Sequence, residues 1–153
     1  MADGGWVRLE NGVNYSTIDA QSYNTGCSIS RNGITYTLYG GYNSWSGAQE
    51  ICSYMTYDGA QPVRLRLAIV HNDDEQKIIE QLLNATSTID KAWIGASNTS
   101  GSWRWVDGTN VQYSQWGYNE PSGTGTELGV AASFDGSWYA HDDALDIHIQ
   151  GFI

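Results

Sequence analysis

The sequence predicts a domain of the α+β class, and three observations predict it. Two stretches in the first half carry apolar residues at spacings of three and four, as amphipathic helices do. After Asn84 that periodicity stops, and short aromatic or β-branched runs separated by turn residues replace it. A long loop region rich in Gly, Ser, Thr and Asn then extends to Glu127, anchored by tryptophans.

Residues 1–30 are polar and weakly patterned, an N-terminal extension in which Trp6–Leu9 and Val13–Tyr15 could form edge strands against a main domain at 31–153. Ser30-Arg31-Asn32-Gly33 is a turn signal, and Ile34–Tyr39 after it reads as a strand ended by Gly40-Gly41. Ser44 can cap a helix whose inner face is Trp45, Ala48, Ile51, Cys52 and Met55, broken at Asp58-Gly59. Leu65–Val70 alternates briefly and leads into a second helix. There Asn72 and Glu75 stand at capping-box spacing, Asp73 and Asp74 suit the positive helix end, and Ile78, Ile79, Leu82 and Leu83 form one stripe. Ala92–Gly95, Trp103–Val106, Val130–Phe134, Trp138–Ala140 and Ile147–Ile149 follow as short strands, with turns at Asp107-Gly108 and Asp135-Gly136.

Composition narrows the class of partner. The 153 residues suffice for one well-buried domain, and a formal charge of -10 repels nucleic acid and anionic lipid. No apolar run approaches the roughly 18 residues of a membrane span, and the first 20 residues lack the pattern of a signal peptide. Cys27 and Cys52 either form one disulfide, worth about 3 kcal/mol through loop closure, or remain two free thiols. Asn14-Tyr15-Ser16, Asn84-Ala85-Thr86 and Asn98-Thr99-Ser100 would be glycosylated only along a eukaryotic secretory route.

Five of the seven tryptophans fall between Trp93 and Asp143. Toward the end of that stretch Glu120, Glu127, Asp142 and Asp143 gather, with Arg104 as its one cation. Aromatic-anchored loops carrying carboxylates suit a hard cation, which takes oxygen ligands.

From Gly33 to Ile153 these residues resemble the C-type lectin-like domain. The resemblance rests on the order of Trp93-Ile94-Gly95, Trp103-Arg104-Trp105-Val106-Asp107-Gly108, Trp116 and Glu120-Pro121-Ser122 with Glu127. It implies a fold of two helices flanking short antiparallel sheets, with a long calcium-binding loop. In that family a Glu-Pro-Asn-like tripeptide, bent at a cis proline, turns oxygens toward one calcium ion that also ligates sugar hydroxyls. The implied ligands here are Glu120, Ser122, Glu127, Asp142 and Asp143. The implied carbohydrate contacts are Glu120, Ser122, Glu127 and Asp142, with one of Trp138, Tyr139 or His141 stacking on a sugar ring. Trp93, Trp103, Trp105 and Trp116 are expected in the core.

The sequence departs from the family pattern at several points. Ser122 replaces Asn or Asp, and Trp138-Tyr139-Ala140-His141-Asp142-Asp143 stands for the family's Trp-Asn-Asp, so a bulge or longer turn is expected to absorb the extra residues. Gly129 and Asp146 occupy positions of family cysteines, and the final cysteine has no counterpart, leaving Cys52 free or paired with Cys27. Gly123 and Leu128 argue against an auxiliary calcium site.

His141, Asp142, Asp146 and His148 could be written as a catalytic transition-metal site. Against this, His148 lies between Ile147 and Ile149 in an expected alternating strand, and neither nucleophile motifs nor phosphate loops occur. The resemblance therefore implies a non-enzymatic, calcium-dependent glycan-binding module, extracellular or on a cell surface. Such a module could form a homo-oligomer or belong to a larger adhesin, and the absent cysteines resemble bacterial versions of the fold. The alternative is the same calcium-stabilised fold binding a protein, peptide or ice surface.

Overall fold

The computed structural model describes residues 5–8, 14–15, 24–57, 65–123, 128–143 and 148–153. In chain order the elements are β1 (Gly5–Arg8), β2 (Asn14–Tyr15), β3 (Asn24–Arg31), β4 (Ile34–Gly40), α1 (Trp45–Tyr54), β5 (Met55–Tyr57), α2 (Asp73–Asn84), β6 (Lys91–Ser97), β7 (Arg104–Trp105), β8 (Leu128–Ser133), β9 (Trp138–Asp142) and β10 (Gly151–Phe152). The α+β class stands.

Both helices start where their caps predict. Ser44 Oγ accepts from Gly47 N–H at 3.0 Å at the head of α1. Asn72 Oδ1 accepts from Glu75 N–H at 2.9 Å at the head of α2. Glu75 Oε2 in turn accepts from His71 N–H at 2.6 Å, one residue before the expected reciprocal partner. The stripe of Ile78, Ile79, Leu82 and Leu83 is buried, each side chain contributing about 1.5–3 kcal/mol.

The main sheet runs β3-β4-β10-β6-β8-β9, with β7 attached to β6. β10 enters its middle, antiparallel to β4 and parallel to β6. Alternation along the strands divides the core in two. Ala92, Ile94, Val130, Ala132 and Trp138 face α2, while Trp93, Ala131 and Phe152 face Trp45, Ala48 and Cys52 of α1. The sheet is thus sandwiched, and β9 is its outer edge on the side of the long loop.

β1 pairs with β2 and β5 in a separate small sheet, and β3, at the end of the N-terminal stretch, pairs with β4. Two expectations change. Of the expected strand 147–149, Ile147 lies outside the described residues, while His148 is in an exposed turn and Ile149 is in no strand; the strand that is described comes later, at Gly151–Phe152. Of the bulge or longer turn expected over Trp138–Asp143, the bulge is not found in β9, whose register with β8 is unbroken from Ala132↔Trp138 to Leu128↔Asp142. The register shift falls instead on β6, between Ile94 and Ser97.

Candidate functional site

The long loop is held by indoles packed edge to face. Trp103 meets Trp116 edge-on at 5.0 Å, and Trp116, Trp105 and Tyr113 each pack against Trp138 at 5.7–6.1 Å between ring centroids. Trp138 is fully buried and donates its Nε1–H to Gln76 Oε1 at 2.9 Å. It offers no face to a ligand. Of the three aromatic side chains expected near a sugar, Trp138 is therefore corrected to a core residue.

From this anchor the loop runs along the open edge of β9. Trp138 N–H donates to Gln115 O at 2.8 Å, and Gly117 N–H donates to Trp138 O at 2.9 Å. A Cβ at Gly117 would lie 3.1 Å from Cε1 of Tyr139, so a larger residue there would have to displace that ring. The chain then turns: Glu120 N–H reaches back to Gly117 O at 3.0 Å, Asn119 adopts a φ of 61°, and the Glu120–Pro121 bond is cis.

At that point a side chain replaces main chain as the partner of β9. Glu120 Oε1 accepts from Ala140 N–H at 2.6 Å and from Ser122 N–H at 3.2 Å. Burial works to raise the Glu120 pKa. The hydrogen bonds from Ser122 and Ala140, with His141 nearby, outweigh it and hold the carboxyl below its ordinary value of 4.5. Glu120 is consequently an anion at neutral pH, fixed at a partly exposed edge.

The other expected site residues lie in different places. Ser122 is exposed beside Glu120. Asp142 is exposed and shares the face of Trp138 and Ala140 toward the loop. Asp143 goes elsewhere: its Oδ1 accepts from Ser46 N–H at 2.9 Å and Ser46 Oγ at 3.0 Å, in the first turn of α1. Tyr139 and His141 belong to the α1 face, where Lys91 Nζ sits 4.2 Å from the Tyr139 ring centroid and His141 meets Trp93 edge-on. Glu127 and Asp146 lie outside the described residues.

Among the described residues, no three His, Cys, Asp or Glu side chains converge as a metal-binding group. Glu120, Ser122 and Asp142 each carry oxygen donors, two of them carboxylates, a donor type that suits calcium better than a transition metal. One residue went unnoticed in the sequence: Tyr118, at the tip of the turn, is 92% exposed.

The Lectin C-type domain family matches residues 41–145, a span that contains the loop, Glu120 and both strands beside it. The chain belongs to the C-type lectin family. Asialoglycoprotein receptor 2 of Homo sapiens is 30% identical over 118 residues, covering 72% of this chain and 34% of the receptor. The chain thus spans about a third of that relative's length. The C-type lectin CEL-I from Cucumaria echinata superposes with a TM-score of 0.67 at 20% identity, covering 82% of this chain and 91% of CEL-I. A Ca2+-dependent type II antifreeze protein in its Ca2+-free form shares the fold at a TM-score of 0.61 and 23% identity, covering 82% and 93% of the two chains.

Membership gives meaning to two small residues of this C-type lectin domain. Gly129 stands where the resemblance places a cysteine, and a Cβ there would lie 2.4 Å from Cγ of Trp45. The Trp45 ring, whose Nε1–H donates to Ile94 O at 2.8 Å, fills that space instead. Cys52 is a free thiol, buried against the same cluster, and burial pushes its pKa up to about 12. Among the described residues, no helix of this lectin domain is long and apolar enough to cross a membrane.

Proposed function

We propose that this C-type lectin domain binds glycans through calcium held at the Glu120-Pro121-Ser122 loop, as a non-enzymatic recognition module outside the cell. The observation that carries this reading is Glu120 itself. Its carboxylate is held ionised at the sheet edge by Ala140 and Ser122, next to the exposed Ser122 hydroxyl. Calcium would be held by Glu120, Ser122 and Asp142, with Glu127 as the further carboxylate. Bound there, calcium supplies coordination positions for vicinal sugar hydroxyls. Asp143 is left out of that set because α1 engages it. A human relative named for asialoglycoproteins and the lectin CEL-I support the reading.

A second reading has its own support. Ala140, which has no side-chain ligand to offer, faces Glu120 in β9, and the antifreeze relative carries the same fold. On this reading the loop meets a protein, peptide or ice surface.

A glycan array probed with and without calcium chelator separates the two. Chelator-sensitive glycan signals support the first reading. No signal at any glycan in millimolar calcium, with partner binding unaffected by excess monosaccharide, supports the second.

A further inference from the structure

Tyr118 is the most exposed large hydrophobic side chain among the described residues, at 92%, against 59% for Tyr42 and 51% for Phe134. An exposed aromatic alone says little, since single ones are ordinary on protein surfaces. What sets Tyr118 apart is how firmly its backbone is held and where.

Its turn is tied at three points. Gly117 N–H donates to Trp138 O, Glu120 N–H closes the turn on Gly117 O, and the Glu120 carboxylate accepts from Ala140 N–H. Gly117 beneath it rests on the Tyr139 ring, and Asn119 beside it takes the left-handed conformation that tight turns require. The backbone under Tyr118 is therefore pre-organised, and a tyrosine has only two side-chain torsions left to order on binding. That combination lets an aromatic ring gain contact area with little entropic loss.

The ring also lies two residues from Glu120 and four from Ser122, on the solvent side of the same turn. Tyr139 and His141, by contrast, are committed to the α1 face, and Trp138 is interior. A saccharide has polar hydroxyls around its rim and an apolar face of C–H groups. The polar side of such a ligand matches Glu120 and Ser122, and its apolar face matches an exposed phenol ring.

We infer that Tyr118 is a specificity-determining contact that packs its ring against the apolar face of a saccharide held at the Glu120 loop. This rests on the glycan-binding reading above. Asn119, exposed next to it, places an amide where it can exchange hydrogen bonds with a neighbouring hydroxyl.

The test uses wild type, Y118A, Y118F and Y118W of the full chain, with methyl glycosides of mannose, glucose, galactose and fucose as probes. Calcium affinity is measured separately by calorimetry. The expected result is at least a tenfold loss of affinity for the bound glycoside in Y118A. Y118F and Y118W should stay within about threefold of wild type, and all four proteins should bind calcium alike. Equal glycoside affinity in wild type and Y118A overturns the role of Tyr118 and leaves glycan binding standing. Wild type that binds calcium but none of the glycosides overturns both.

Discussion

Glu120 and Ala140 lie 20 positions apart in the chain, and a 2.6 Å hydrogen bond joins the carboxylate of one to the main-chain N–H of the other. It ties the candidate loop to the edge strand β9 just where the main-chain pairing through Gln115 and Gly117 ends. The bond is charge-assisted, so it is stronger than a neutral one and depends on ionisation.

Replacing Glu120 with Ala should therefore destabilise the domain by about 1–2 kcal/mol in calcium-free buffer, by loss of this bond. The pH dependence follows from the direction of its shift. A carboxyl whose folded pKa is depressed adds stability above its ordinary value of 4.5, and that increment is lost as pH falls through the folded value. Thermal melts in EDTA should show wild type above E120Q at pH 6, with the gap closing from about pH 5 downward. A gap independent of pH would contradict the assignment.

Asp143 should behave as a helix cap. The first turn of α1 contains no acidic residue of its own, so Asp143 supplies the negative charge there from across the fold. D143A should cost about 1 kcal/mol, or roughly 2–4 °C in melting temperature, with calcium affinity unchanged. D142A should show the reverse pattern, weaker calcium binding with little change in melting. The comparison is made by differential scanning calorimetry and calcium titration on the same samples.

At Gly129 a methyl group would press into the Trp45 ring. G129A should lower stability by about 1–3 kcal/mol through overpacking, and G129C, which restores the residue type common in the family, should be no better. Urea denaturation measures both. A neutral G129A would mean that Trp45 moves aside freely.

The Cys52 thiol, with its pKa raised to about 12 and only 3% of its surface exposed, should be inert in the folded protein. In a C27S background, reaction with a disulfide reagent at pH 8 should be slow in buffer and complete within minutes in denaturant. Rapid labelling of the native protein would overturn the buried placement.

Much of this was legible in the sequence, for physical reasons that differ by element. α2 was plain because a capping residue, acidic first turn and apolar stripe all point the same way at Asn72 to Leu83. β3 was not: its one branched apolar residue is Ile29, because the strand sits at the edge of the sheet and needs little burial. The Glu120–Pro121 bend was readable from the tripeptide. The parting of Asp142 from Asp143 was not, because β9 ends at Asp142 and Asp143, just past it, is drawn to the first turn of α1, 97 positions away in the chain. The burial of Trp138 was not legible either, since Trp105, Tyr113 and Trp116 pack on it and Gln76, 62 positions away, accepts from its Nε1–H.

The central claim is that calcium binds where Glu120 stands and that glycan recognition follows from it. Isothermal calorimetry of calcium into wild type and E120Q at pH 7 tests this most directly. The account predicts one-site binding in wild type that is weakened at least tenfold in E120Q, because one anionic ligand becomes neutral. Calcium binding of equal strength in the two proteins, or none in wild type at millimolar calcium, would contradict it.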